Sequence, residues 1–550
     1  MKRLLFEVHR WLGVVLAVFM LLWFFSGLLI IYAEPTTPSR AQQLANADAL
    51  LPESNWLSAG EAWERSTAER KELAAAQKER AVEKKPTPSS EGNKSQTGGD
   101  EIVEARLVYQ AREPVWLIED KRGQRFALSA VDGKLHETTP EQALTIAGNW
   151  VHNKTGHLAR GLNYVESVDK PALLRNQEAL RPFHRISFDD LAGSELLISA
   201  RTGEVVSDST RIQRGFYWAG NWVHLFRPLD LAGLGESRVT ILTWTAFSVI
   251  VATLTGLIVG WLRWRPGWFG HKTYSEGRVH PYRNVWFKWH FWGGLIGGVL
   301  ALTWGLSGFL NNNPWQIFSP ANPGKEELLR YVGGDDPAVS KLWRAEPRVP
   351  GANEAEIVEQ LWRRLGNETV QLALTRDGRR LPQITSNTVS NFTDTSVLAA
   401  VHRMAGDTPV TTQTLLHQYD SYYYLRFHRD VADRPLPVLR VELADAAGTH
   451  LYIDPQDGRL LSKQDSSRRV FRWLYSALHH WDFGWLYQRP LWDAWMLIWV
   501  SLGLTLSVTA VVIGWKRLQH TFRRKHHAVA KEHGNPTITP AKLNSENQAV

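Results

Sequence analysis

The chain has no cysteine among its 550 residues. Disulfides, thiolate chemistry, iron–sulfur clusters and covalently attached c-type haem are therefore excluded, because each of them needs cysteine sulfur. No glycine-rich loop follows a strand-like segment, so the sequence offers no built-in site for NAD(P)H or a flavin. It also has neither a nucleophile elbow nor a His-Glu-x-x-His motif, which argues against a hydrolase.

Charged side chains are missing from the centres of four long apolar segments, although Asp493 lies at the edge of the fourth. Each segment is long enough to cross a bilayer, which takes about 20 residues. We therefore predict four membrane spans, at 11–32, 240–261, 289–310 and 492–515.

Lysine and arginine are concentrated at the N-terminus, in the loop 263–288 and just after the fourth span. Positive charge near span ends marks the cytoplasmic side, so we expect both termini to be cytoplasmic. The segments 33–239 and 311–491 would then face the opposite side. We attribute the formal net charge of +8 largely to these lysines and arginines near the ends of the spans. No nucleic-acid-binding motif accompanies it, and no nucleic-acid partner is expected.

The two halves of the chain repeat the same residues at the same spacing, which predicts an internal duplication. Each half has a His opening its first span, a Gly four residues later, a Ser-Gly near the far end, and a Phe-x-Trp motif followed by another His. The matched residues are His9 and His290, Gly13 and Gly294, Ser26 and Ser307, and His224 and His479.

These four histidines are candidate axial ligands of two b-type haems. Iron held between two imidazoles has no open position, an arrangement that favours electron transfer. A pseudo-twofold axis along the membrane normal would pair His9 with His290 and His224 with His479. Gly13 and Gly294, one helical turn after a histidine, would leave room for a flat macrocycle.

Other readings of the same residues stay open. The glycines could serve helix packing, and the aromatic residues around His224 and His479 could form an interfacial belt. His480 could replace His479 as a ligand, because neighbouring residues on a helix point about 100° apart.

The segments outside the spans have α+β patterns. We predict helices at 140–147 and 355–365, and strands within 195–208 and 438–461 joined at Thr-Gly and Asp-Gly turns. Residues 75–100 are charged and then rich in Pro, Ser and Gly, which is typical of a disordered insertion.

Several motifs resemble the PepSY-associated transmembrane family, which includes iron-regulated bacterial inner-membrane proteins and ferric-siderophore reductases. They are both His-containing span openings and the runs that begin at Tyr422 (Tyr-Tyr-Tyr), Pro435 (Pro-Leu-Pro-Val-Leu-Arg-Val), Leu451 (Leu-Tyr-Ile-Asp-Pro), Arg472 (Arg-Trp-Leu-Tyr) and Arg489 (Arg-Pro-Leu-Trp-Asp). The resemblance implies an integral membrane α-helical protein with four spans, periplasmic α+β PepSY-like domains and b-type haem.

The expected organisation places one large PepSY-like domain in each half. The predicted segments are a first span (1–33), a periplasmic domain (34–211), an amphipathic helix with the second span (212–263), a cytoplasmic loop (264–286), a third span (287–311), a second periplasmic domain (312–467), an amphipathic helix with the fourth span (468–516) and a cytoplasmic tail (517–550).

The expected function is electron transfer across a bacterial inner membrane to a ferric siderophore or another iron chelate, with release of iron. Electrons would come from a membrane quinol or a cytoplasmic reductase. Tyr423, His428 and Arg429 are the candidate residues for chelate reduction, with His184 and Arg185 as repeat partners of the last two. The alternatives are a non-redox PepSY module that regulates a peptidase, and a component of iron or solute transport.

Overall fold

The computed structural model describes residues 2–532 apart from 52, 54, 74–101, 175–176, 269–271, 334–355, 384–388 and 426–430. The predicted insertion at 75–100 and the end of the tail lie outside the described residues. Contacts divide the chain into two units. The membrane unit is 1–31, 220–315 and 474–550, and the sheet unit is 32–219 and 316–473.

Four helices of the membrane unit are long and apolar enough to cross a membrane, which confirms the four predicted spans. The first, second, third and fourth membrane helices are Lys2–Ile31, Arg238–Arg263, Val285–Asn311 and Leu491–Arg523. The helix that carries the fourth span continues to Glu532. The third is interrupted by a π-helical turn at Gly293–Gly297. A Cβ built on Gly297 would lie 3.1 Å from Cβ of Leu502, so this glycine lets the third and fourth membrane helices approach closely.

Shorter helices connect these elements in both units. In chain order they are Arg40–Ala45, Ala59–Arg65, Pro140–Thr155, Arg211–Tyr217, Pro228–Leu231, Lys325–Val332, Asp394–Ala405, Ser466–Phe471 and Leu478–His480. The helix predicted at 140–147 is therefore confirmed. It begins after a Thr139 capping box and ends at Gly156, which has a left-handed φ of 74°.

The sheet unit contains fourteen strands within the described ranges. They are β1 (Ile102–Gln110), β2 (Glu113–Asp120), β3 (Arg125–Ser129), β4 (Leu162–Val168), β5 (Phe183–Phe188), β6 (Glu195–Ser199), β7 (Val205–Ser209), β8 (Ile357–Leu365), β9 (Glu368–Thr375), β10 (Arg380–Pro382), β11 (Val410–Leu416), β12 (Val438–Leu443), β13 (His450–Ile453) and β14 (Leu460–Gln464). The strands predicted within 195–208 and 438–461 are present.

The strands form three antiparallel sheets. Two have four strands, in the orders β4-β5-β6-β7 and β11-β12-β13-β14, and one has six, in the order β10-β9-β8-β1-β2-β3. The six-stranded sheet joins the two segments that were expected to form one domain each. β1 pairs with β8 in a register that sets Ala105 opposite Trp362, and Trp362 packs edge-on against Trp116 at 5.0 Å.

The prediction of a helix at 355–365 is wrong, because residues 357–365 form strand β8. Its apolar residues fall at positions 357, 358, 361, 362 and 365, which imitates the period of a helix. In the sheet, eight of the nine residues of the strand are buried. The pattern was misleading because Glu359 and Arg363 are polar yet lie inside, where they form ion pairs with Arg106, Glu104 and Asp457.

These buried charges form a network across β1 and β8. Arg106 lies 2.6 Å from Glu204, and Arg363 lies 2.7 Å from Asp457 and also pairs with Glu104. Burial alone would raise the pKa of Glu104, but Arg363 and Arg106 lower it to about 2. The network is therefore charged on both sides at neutral pH, as a buried ion pair must be to compensate for desolvation.

Candidate functional site

The first histidine pair is His9 and His290, which face each other near the start of the first and third membrane helices. Their ring centroids are 6.4 Å apart and their planes are inclined at 38°. The two residues are 281 positions apart in sequence, and the pairing brings together the two span openings that were matched by motif.

The second histidine pair is His224 and His479, which precede the second and fourth membrane helices. Their ring centroids are 6.3 Å apart and their planes cross at 78°. Each follows a π-helical turn, at Trp218–Trp222 and Arg472–Ala477. Such turns are rare and often occur at functional sites.

Each of the four imidazoles is held through its Nδ1 atom by a residue on another helix of its own half. In the first pair, Nδ1 of His9 lies 3.0 Å from the backbone oxygen of Ala252, and Nδ1 of His290 lies 3.2 Å from Oγ1 of Thr509. In the second pair, Nδ1 of His224 and of His479 each lie 3.0 Å from a serine hydroxyl, on Ser26 and Ser307.

These contacts indicate which ring nitrogen carries the proton. A carbonyl oxygen only accepts, so Nδ1 of His9 must donate to Ala252. The hydroxyls of Ser26, Ser307 and Thr509 donate to carbonyls of their own helices, which leaves their oxygens to accept from Nδ1–H. This hydrogen-bond pattern favours the tautomer with an unprotonated Nε2, the form that binds a metal ion, at all four imidazoles.

The spacing of both pairs suits a metal ion between the rings. Metal–nitrogen bonds of about 2 Å on each side, with the ring radii added, place two imidazole centroids roughly 6 Å apart. Within the described ranges, no group of three or more His, Asp and Glu side chains is arranged to hold a metal ion. Each pair would supply two axial ligands, and a haem macrocycle would supply the equatorial ones.

Glycines lie against three of the four rings. A Cβ built on Gly256 would lie 2.6 Å from Cε1 of His9, and Cβ atoms on Gly27 and Gly308 would lie 3.7 and 3.8 Å from Cε1 of His224 and His479. Gly256 was missed by the sequence analysis, because it has no counterpart in the histidine repeat. A Cβ built on Gly294 would lie 3.5 Å from Cδ1 of Leu506. That Gly13 and Gly294 make room for a macrocycle stays a prediction.

Both pairs are assembled from the two halves in the same way. The first half supplies His9 and His224, and the second half supplies His290 and His479. Neither half alone completes a pair, because each pair takes one histidine from each half. Each half also supplies the Nδ1 partners of its own histidines. His480 packs edge-on against Tyr475, while His479 is the residue whose ring faces His224.

Tyr423, a candidate residue for chelate reduction, lies in the core of the sheet unit. Its side chain is fully buried, its ring stacks on Tyr452 at 5.2 Å, and its phenol donates to the backbone oxygen of Pro435. Burial raises the pKa of the Tyr423 phenol above its usual range. In this arrangement Tyr423 packs the sheet and presents no group to a solute.

The other candidates for chelate binding are His428 and Arg429, which lie outside the described residues. Their repeat partners are described, and both have structural contacts. Nε2 of His184 lies 2.7 Å from the backbone oxygen of Thr138, and Arg185 forms ion pairs with Glu166 and Glu195.

The four apolar helices make this a multi-pass membrane protein. The sequence model of the family named PepSY-associated TM region matches residues 6–420. The chain therefore belongs to the PepSY-associated transmembrane family. No curated protein matches the chain.

Proposed function

We propose that this protein is a b-type cytochrome of a bacterial inner membrane that passes electrons outwards to a ferric chelate. The observation that carries the proposal is the presence of two histidine pairs with ring separations of 6.4 and 6.3 Å, each ring held through Nδ1. In both pairs, each imidazole is bonded through Nδ1 to a residue on another helix, which is the attachment that orients a histidine to bind a metal ion through Nε2.

The residues that would hold two haems are His9 with His290 and His224 with His479. A bound haem would supply a centre that gains and loses one electron without opening a ligand position. The protein's part is to hold the imidazoles, fix their tautomers and exclude water. Ser26, which holds His224, lies roughly 25 Å along the first membrane helix from His9 at the usual helical rise, so the two sites lie at different depths.

An internal duplication accounts for the matched contacts of the two halves. Ser26 with His224 and Ser307 with His479 have the same 3.0 Å contact, and Trp23 and Trp304 donate to the backbone oxygens of these same histidines at 3.0 and 3.1 Å. Two copies of one gene segment that diverged after fusion would keep such a set together.

The proposed substrate is a ferric siderophore or a similar chelate, on the resemblance of the chain to ferric-siderophore reductases. One electron would convert Fe³⁺ to Fe²⁺, which hard oxygen ligands hold more weakly. A membrane quinol or a cytoplasmic reductase would supply that electron, since no nicotinamide or flavin motif occurs in the sequence. His428 and Arg429 stay the proposed chelate contacts on sequence alone.

The proposal is tested by anaerobic reoxidation of the purified protein. Dithionite-reduced protein, freed of excess reductant, is mixed with a ferric hydroxamate and a chromogenic ferrous chelator. We expect the reduced haem bands to disappear while one ferrous ion is trapped for each electron lost. The His290→Ala variant should transfer fewer electrons per chain than His480→Ala, which leaves both pairs intact.

Two results would separate the parts of this proposal. Haem-containing protein that stays reduced beside the ferric chelate would refute chelate reduction and leave the cytochrome assignment. Protein that contains no haem when produced in haem-replete cells would refute both, and a non-redox PepSY module would then be the better account.

A further inference from the structure

The second histidine pair is held at two points on each side by residues three positions apart on one helix. Ser26 contacts Nδ1 of His224 at 3.0 Å, and the indole N–H of Trp23 donates to the backbone oxygen of the same histidine at 3.0 Å. Ser307 and Trp304 hold His479 in the same way, at 3.0 and 3.1 Å. We call Trp23 with Ser26, and Trp304 with Ser307, the Trp–Ser pairs.

The Trp–Ser pairs leave each imidazole little rotational freedom. The indole bond fixes the backbone of the histidine, and the serine bond fixes the rotation of its ring. Ser26 and Ser307 are fully buried, so water cannot replace either hydroxyl as the acceptor. Each serine also donates to the backbone oxygen of its own Trp at 3.2 Å, which keeps the acceptor lone pair directed at the histidine.

The first histidine pair has different holders and a different ring angle. Its Nδ1 atoms are held by a backbone oxygen and a threonine hydroxyl, on Ala252 and Thr509. The rings of this pair are inclined at 38°, while those of the second pair cross at 78°. The two sites therefore differ in the angle between their imidazole planes, which the protein sets by holding each ring at a particular rotation.

We propose that the Trp–Ser pairs are positioning elements that hold the imidazoles of His224 and His479 crossed, and that they make the second haem site electronically different from the first. The inference rests on the proposed function, because it assigns these residues a role toward a bound haem. It adds to that function a motif, Trp-x-x-Ser-Gly, which occurs once in each half.

Ring rotation matters because an imidazole interacts through its π orbital with one of two iron d orbitals. Rings that are close to parallel act on the same d orbital and separate the two in energy. Crossed rings act on one orbital each and leave the two nearly equal. Nearly equal orbitals give a strongly anisotropic low-spin EPR signal of the ferric protein, and separated orbitals give a rhombic one.

The test is EPR spectroscopy of the oxidised full-length protein, with haem counted per chain on the same sample. We expect one strongly anisotropic and one rhombic low-spin signal in the wild type. In the double variant Ser26→Ala with Ser307→Ala, the anisotropic signal should be lost or shifted while the rhombic one stays. The midpoint potential of only one haem should change.

The matched control is Thr303→Val, which removes a hydroxyl on the same helix as Ser307. Thr303 donates to the backbone oxygen of Leu300, and the substitution should leave both signals unchanged. If the double serine variant loses its second haem, Trp23→Phe with Trp304→Phe removes the other two hydrogen bonds while keeping an aromatic ring at each position, and it should shift the same signal.

The outcomes are distinguishable. A wild type with two rhombic signals, or an anisotropic signal that persists unchanged in both double variants, would overturn this inference while the cytochrome assignment stands. Wild-type protein without haem would overturn the proposed function itself.

Discussion

Gly256 allows the second membrane helix to pack directly against the ring of His9. A Cβ at this position would lie 2.6 Å from Cε1 and 3.0 Å from Nδ1 of the imidazole, which is far inside van der Waals contact. The same ring donates to the backbone oxygen of Ala252, one turn earlier on the helix. The glycine and the carbonyl together set the position of His9 in the first histidine pair.

We therefore expect Gly256→Ala to displace His9 and to lower the haem content of the first site, while the second site keeps its haem. The measurement is haem per chain, combined with the EPR spectrum that distinguishes the sites. Gly260→Ala is the matched control one turn away, because its Cβ would meet Leu295 at an ordinary 3.5 Å. Equal haem loss in both variants would contradict a specific role for Gly256.

The spacing of residues in the two halves predicted which histidines would face each other, because both members of a pair have repeat-matched neighbours. It could not predict their Nδ1 partners. The acceptor for His9 is the backbone oxygen of Ala252, and a backbone atom leaves no side-chain pattern in a sequence. Thr509 and the two serines have side chains that also bond to their own helices, a common role for Ser and Thr in membrane helices.

At the scale of elements, β1 and β8 depend on buried charges that must stay ionised. The pKa of Glu104 is lowered from its ordinary value of 4.5 to about 2 by Arg363 and Arg106, against the opposing effect of burial. A carboxyl group with a lowered folded-state pKa stabilises the fold above its unfolded pKa and loses that contribution as pH falls toward the folded one.

We expect the sheet unit to lose stability between about pH 4.5 and pH 2, and Glu104→Gln to reduce this dependence. At neutral pH the variant should be less stable by about 2 kcal/mol, because it leaves Arg363 buried with one carboxylate fewer. The measurement is denaturant unfolding followed by tryptophan fluorescence at several pH values.

Glu119→Gln is the control for this prediction, because Glu119 forms a partly exposed pair with Arg125. Exposed pairs contribute about 1 kcal/mol or less. If the stability of Glu104→Gln depended on pH in the same way as that of the wild type, this result would contradict a lowered pKa of Glu104.

The long elements were predictable from sequence, and the strand β8 was not. Four apolar segments of membrane length leave few alternatives to membrane helices. The Thr-Gly and Asp-Gly turns marked the strand hairpins within 195–208 and 438–461. β8 has charged residues inside the sheet, so neither alternation nor an apolar run appears in its sequence. Its pairing with β1 joins residues more than 250 positions apart, and nothing local in either strand indicates that partner.

At the scale of the whole molecule, the proposed orientation can be tested because the chain has no native cysteine. A single cysteine introduced at an exposed position would be the only thiol of this chain that can react with a maleimide that does not cross membranes. In spheroplasts, we expect Leu191→Cys in the sheet unit to be labelled. Lys272→Cys, in the loop between the second and third membrane helices, should be labelled only after lysis. The opposite result would reverse the orientation.

The most direct measurement of the central claim is the haem content per chain of the purified protein, read from its oxidised and reduced absorption spectra. We predict two b-type haems in the wild type, one in His290→Ala, one in His479→Ala and two in His480→Ala. A colourless wild type, or a haem content that none of these substitutions changes, would contradict the assignment of the two histidine pairs as haem ligands.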